Sequence, residues 1–191
     1  MDKEAGATQT WPDRIITQLD EADRRAQALA NSLTIEQLNW RPSPDEWSIG
    51  QCLQHLLVFN RLYIEAISCA LDRQPACPVR EVEASRISAW FMRTYVEPGS
   101  DTRRVRSPRK IKPNARIDAS VVDDFLQSNQ HAKNLVRRAA AYDVNRIRYK
   151  NPLVPLVRFT VGVGLELTWK HQLRHVLQAE RVKQSQGYPT Q

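Results

Sequence analysis

The sequence is poor in glycine and cysteine and has no long apolar run. Six glycines stand against 28 lysines and arginines, and long Leu/Ala/Gln/Arg/Glu stretches fill the space between prolines, a composition that favours helix over sheet. The three cysteines, Cys52, Cys69 and Cys77, form no Cys-x-x-Cys pair and are odd in number. This excludes a closed disulfide framework and leads us to expect reduced thiols in a cytoplasmic protein. No apolar stretch approaches the length of a bilayer span. The start, Met1-Asp2-Lys3-Glu4, lacks the apolar segment of a signal peptide, so no membrane partner is expected. What is present is ordinary for a globular chain of 191 residues: 41% hydrophobic and 26% charged, enough for one domain with a substantial core.

The net charge of +7 is concentrated. Arg103, Arg104, Arg106, Arg109, Lys110, Lys112 and Arg116 lie within one short segment that contains no acid, so the rest of the chain is close to neutral. A single basic segment on a neutral body is a weaker pointer to nucleic acid than a basic surface throughout. It also lacks interleaved aromatics. A solvated loop or an acidic protein partner is the expected reading, and nucleic acid is ranked last.

Periodicity predicts four long helices. The first opens at Thr10 with Pro12 and Asp13 in its first turn and runs to about Asn31, with Ile15, Leu19, Ala22 and Ala26 inward. Thr34-Ile35-Glu36-Gln37 is a capping box for a short turn ending near Asn39. The Trp40–Trp47 stretch carries Pro42 and Pro44 and cannot be helix; its two tryptophans are expected to pin it to the body. Ser48-Ile49-Gly50-Gln51 is a second capping box, and the helix it opens runs through Leu71. A proline-broken crossover from about 72 to 117 follows, with room for a helix around Ile87, Trp90 and Phe91. The third long helix begins at Asp118 or Ser120 and ends near Tyr142. After a proline-stiffened connection at 151–155, the fourth runs from a cap at Thr160 to about Lys183. The predicted fold is all-α: a four-helix bundle with a long crossover between the second and third long helices.

Two of the four histidines, His171 and His175, are four residues apart on the last helix, so both imidazoles leave the same side of the rod. Two neutral imidazoles so placed are a pair of metal ligands awaiting a third donor. The expected apolar stripe of this helix is Leu165, Trp169, Leu173, Val176 and Leu177. The histidines fall on a different line, with Gly164, Thr168, Gln178 and Val182. The candidate third donor is His55, on the flank of the second long helix beside Cys52 and Phe59. His131, between polar neighbours, is expected to be exposed.

Trp40-x-Pro42, Trp47-Ser48-Ile49, Gln54-His55-Leu56 and the terminal His171-x-x-x-His175-x-x-Gln178 together resemble the DinB-like metal-binding superfamily, in order and over nearly the whole chain. The resemblance implies a four-helix bundle with a long crossover, often dimeric. It implies a nickel, zinc or iron ion held at the positions of His55, His171 and His175. Mycothiol-dependent maleylpyruvate isomerases have Glu for one of the pair; an all-histidine set, as here, is that of the bacillithiol-transferase-like members. A metal with three imidazoles keeps a position for water or substrate, suiting hydrolysis or delivery of a bound thiol to an electrophile. The resemblance favours transfer of a low-molecular-weight thiol in stress or detoxification. The alternative is a non-catalytic metal sensor or interaction module. Thr168 and Gln178 are candidate pocket residues, as are Cys52 and Phe59. Cys52 is weighed as a soft fourth ligand against a buried structural thiol.

Overall fold

The computed structural model describes residues 9–72, 74–97, 107–154 and 156–190. Both capping boxes form. The Thr34 hydroxyl accepts from the Gln37 amide while Gln37 Oε1 accepts from the Thr34 amide, and Ser48 and Gln51 exchange the same two bonds. They open α2 (Ile35–Asn39) and α3 (Ile49–Leu71) behind α1 (Trp11–Ala30). Thr10 occupies the N-cap of α1, but its hydroxyl donates to the Asp13 carboxylate instead of receiving a backbone amide. The crossover holds α4 (Arg86–Tyr95) and a short 3-10 turn at Arg109–Ile111; α5 (Val121–Ala139) and α6 (Val161–Lys183) complete the helices.

α3 packs against α5 and α6, and α1 packs against the same two helices, so α1 and α3 face each other diagonally. One apolar cluster joins Ala22, Ala26 and Leu29 at the end of α1 to Val176, Ala179 and Val182 at the end of α6. It also takes in Ile49–Leu56 and Val121–Phe125 from the first turns of α3 and α5. Thus α1 and α6 run one way and α3 and α5 the other, and the long crossover is what lets α5 start at the same end as α3. The second cluster, around Ile15, Leu19, Tyr63, Leu71 and Val136, fills the opposite end. Between them lies a polar layer: Gln172 donates to Asn60 (3.0 Å), Asn60 to the Ser128 hydroxyl (3.0 Å), and Ser128 to the Phe125 carbonyl (2.7 Å).

Two expectations need correction. The all-α bundle carries one small antiparallel sheet, β1 (Arg148–Lys150) with β2 (Arg158–Thr160), in the segment read as a plain connection. It forms because Tyr149 and Phe159, directly opposed, both bury their rings against the bundle. The helix expected around Ile87, Trp90 and Phe91 is present as α4, with Met92 buried and Ile87 and Trp90 facing outward. In α6 the inward line is Leu165, Thr168, Gln172, Val176 and Ala179. Trp169, Leu173 and Leu177 are only partly buried, because the polar layer places Gln172 at the centre in their stead. His131 is exposed, as expected, and no helix among the described residues is long and apolar enough to cross a membrane.

Candidate metal centre

His55 leaves α3 at the seam between the two apolar clusters, where α3 meets antiparallel α6. Across that seam stand His171 and His175. The Nε2 atoms of His55 and His171 are 3.3 Å apart although 116 residues separate them in sequence. One ring nitrogen from each of the three lies within 4.8 Å of the others, the one such cluster of potential ligands among the described residues. Two imidazole nitrogens on a tetrahedral ion at about 2.0–2.1 Å stand roughly 3.3–3.4 Å apart, so the His55–His171 separation fits a shared ion.

Two of the rings have their tautomers fixed from behind. Nδ1 of His55 donates to the Ile111 carbonyl (2.8 Å), and Nδ1 of His175 donates to Gln178 Oε1 (2.8 Å). A carbonyl oxygen only accepts, so the protons sit on Nδ1 and the Nε2 lone pairs are left free to meet a cation. Aromatic walls hold the rings in place. Trp47 lies over His55 (centroids 4.7 Å) and stacks on His175 (5.6 Å), and Phe59 lies on His171 at 4.1 Å and in turn stacks on Tyr63.

Burial sets the electrostatics. Desolvation pulls the His55 imidazolium down to about 4, against a smaller opposing effect of its bond to Ile111. Desolvation, followed by the neighbouring histidines, pushes His171 well below its ordinary value. For His175 desolvation and then His55 do the same, opposed by the Gln178 bond. All three are therefore neutral near pH 7, the form that ligates metal. Nδ1 of His171 is buried without a hydrogen-bond partner among the described residues. Three convergent neutral donors, two of them with Nε2 unprotonated, are a donor set suited to a divalent ion.

Of the other residues singled out in the sequence, Phe59 and Gln178 adjoin the histidines and Cys52 and Thr168 do not. The Cys52 side chain is buried among Leu53, Ile49 and Ala26, where burial raises its thiol to about 12, and it is not among the converging atoms. The Thr168 hydroxyl donates to the Gly164 carbonyl one turn back, and the residue lines a small apolar gap with Leu19, Ile64 and Leu165. The crossover touches the site through backbone instead of charge. Its segment 111–117 is laid along α3, with Ile111 and Ile117 buried, the Asn114 amide donating to Gln54 and Gln51 donating to the Asn114 carbonyl. Of its basic residues Arg109, Lys110, Lys112 and Arg116 are exposed, and Arg103, Arg104 and Arg106 lie outside the described residues. Sequence reasoning missed the Ile111 acceptor. It read Trp47 as an anchor for its loop and as part of the family motif and not as a wall of the site, though its place beside the Ser48 cap puts it within reach of the first turns of α3.

The DinB superfamily model matches residues 18–179 of this chain. The protein belongs to the DinB superfamily. The uncharacterised protein YuaE of Bacillus subtilis (strain 168) is 23% identical over 159 residues, spanning 80% of this chain and 86% of its own length. Among solved structures the chain is similar to YfiT from Bacillus subtilis, with a TM-score of 0.61 at 15% identity, covering 99% of this chain and 95% of that one. YfiT is described as "a probable metal-dependent hydrolase with an unusual four-helix bundle topology". That likeness extends to the fold, whose diagonal placement of α1 and α3 departs from a simple up-and-down bundle.

Proposed function

We propose that His55, His171 and His175 hold a divalent metal and that this DinB-superfamily protein uses it to transfer a low-molecular-weight thiol to a small electrophile. The observation that carries the metal reading is the meeting of three neutral imidazoles whose free nitrogens lie within 4.8 Å of one another. When bound, the ion would act as a Lewis acid toward an oxygen or sulfur ligand in the position the histidines leave open. The chain's own residues do the rest. Ile111 and Gln178 keep the rings in the ligating tautomer, while Trp47 and Phe59 wall the site and limit water. The preference for a thiol over water rests on the all-histidine set, which is that of the bacillithiol-transferase-like members of the family. Hydrolysis is the second reading, favoured by the description of YfiT.

Metal analysis of freshly purified protein, then a screen of small thiols with a chromogenic electrophile and of esters and amides without thiol, tests both readings. One divalent ion per chain and thiol-dependent turnover lost in His171→Ala is the expected outcome. Turnover of esters or amides without thiol would favour the hydrolase. Stoichiometric metal with no turnover would make the protein a metal-binding module, and failure to bind any divalent ion would sink the proposal at its root.

A further inference from the structure

The β1–β2 hairpin has two unlike faces. Inward, Tyr149 and Phe159 are paired across the strands and buried. Outward, Arg148, Lys150 and Arg158 are all exposed, and Lys150 stands directly opposite Arg158 in the register. Like charges facing each other across a ladder weaken it. None of the three has an ion-pair partner among the described residues. Lys110 adds a fourth cation beside the loop, its Nζ 3.5 Å from the Pro152 carbonyl.

Hydrogen bonds link the described residues between the strands. Asn151 Oδ1 accepts from the Leu153 and Val154 amides, the Asn151 amide donates to Val157, and the Val157 amide donates to Val154. This frame holds Leu156 out at 98% exposure, the barest large apolar side chain described, with Val154 at 44% beside it. A lone exposed leucine signifies little. Here it projects from the tip of a hairpin whose outer face carries three cations and Thr160, with no acid, and whose inner face is fixed to the bundle.

We propose that this hairpin docks on an anionic lipid surface, its cations at the headgroups and Leu156 in the interface. Charge complementarity selects an anionic occupant, and the bare aliphatic tip selects lipid over nucleic acid, which offers a leucine little and finds no aromatic on this face to stack upon. The proposal goes beyond the metal chemistry. It also revises the expectation, drawn from the lack of a spanning segment, that membranes play no part: a surface contact needs no span.

Co-sedimentation of the full chain with vesicles of phosphatidylcholine containing 30% phosphatidylserine, against pure phosphatidylcholine, tests it. Binding to the anionic vesicles alone, weakening with salt, is expected. The triple variant Arg148→Ser, Lys150→Ser, Arg158→Ser should bind about a hundredfold less, at roughly fivefold per cation, and Leu156→Ser should bind severalfold less. A control triple, Arg61→Ser, Arg116→Ser, Arg137→Ser, removes the same charge elsewhere and should bind nearly as the parent. Equal loss in both triples would show diffuse adhesion by a basic protein and overturn the assignment. No binding to anionic vesicles at low salt would do so as well, and so would a leucine variant that binds like the parent. Tighter binding to a short RNA or DNA duplex than to vesicles, lost in the hairpin triple, would replace lipid by nucleic acid. Thermal melts and metal content of each variant check folding, and the salt series on the parent needs no variant.

Discussion

Gln178→Leu should loosen metal binding without displacing any ligand. In the parent, the His175 ring is only 9% exposed and its Nδ1 proton has an acceptor at 2.8 Å in Gln178 Oε1. Leucine is close in size but accepts nothing, so the variant leaves a buried N–H without a partner in the ligating tautomer. Leaving such a donor unmade costs about 1–3 kcal/mol. Without metal the ring can escape part of that cost by moving its proton to the other nitrogen, whereas the liganded ring cannot. The cost therefore falls mostly on the bound state, and affinity should drop by roughly 10–100-fold, the range seen when such supporting partners are lost. Competition of Co(II) or Zn(II) between the protein and a chromogenic chelator measures this directly, and the Co(II) visible spectrum reports whether the ligand set is unchanged. Gln178→Glu supplies an oxygen at the same place and should keep or raise affinity. A Gln178→Leu protein with parental affinity and an unchanged spectrum would refute the argument that the hydrogen bond holds the tautomer.

Three further outcomes are expected. His171→Ala should abolish stoichiometric metal binding, while Cys52→Ala should leave stoichiometry unchanged, since that thiol lies in the apolar cluster; both are read by metal analysis after gel filtration. The metal-free protein should lose stability on acidification. His55 is held near 4 in the fold against about 6.5 unfolded, so its contribution is complete above 6.5 and is lost as pH falls toward 4, by about 3 kcal/mol, measurable by urea unfolding across that window. Gly164→Val should lower the melting temperature by about 4–12 °C, an overpacking cost of about 2–3 kcal/mol. A Cβ at that position would lie 2.5 Å from the Tyr149 hydroxyl and 2.8 Å from its ring, which is itself buried.

Where the chain signals structure through local chemistry, it was readable. Thr34 with Gln37 and Ser48 with Gln51 marked two helix starts because a capping box is a short-range exchange of hydrogen bonds. The histidines could be read as a set because i, i+4 spacing fixes a common face on α6 and His55 lies at the edge of an apolar stripe on α3. The inward line of α6 was misread because leucines were assigned inward by hydropathy. Gln172 belongs inside only because Asn60 on another helix receives its hydrogen bond, a fact no window on α6 contains. The hairpin escaped because its strands are three residues long, too short for a period-two alternation to register. The acceptor for His55 is a main-chain carbonyl, and every residue has one, so no side chain could have announced it.

On the proposed metal reading, the distance along the chain between His55 and the α6 pair bears on how an ion would meet the protein. The pair His171 and His175 needs only one turn of helix, which a nascent or unfolded α6 visits on its own, whereas His55 arrives only when α3 and α6 have docked. Unfolded chains thus offer a weak two-nitrogen site and folded chains a three-nitrogen one, and a metal ion stabilises the fold only by the difference between them. At high concentration it would hold unfolded chains as well, so the gain in melting temperature should level off as metal is added instead of rising without limit. The level it reaches measures what the third histidine contributes.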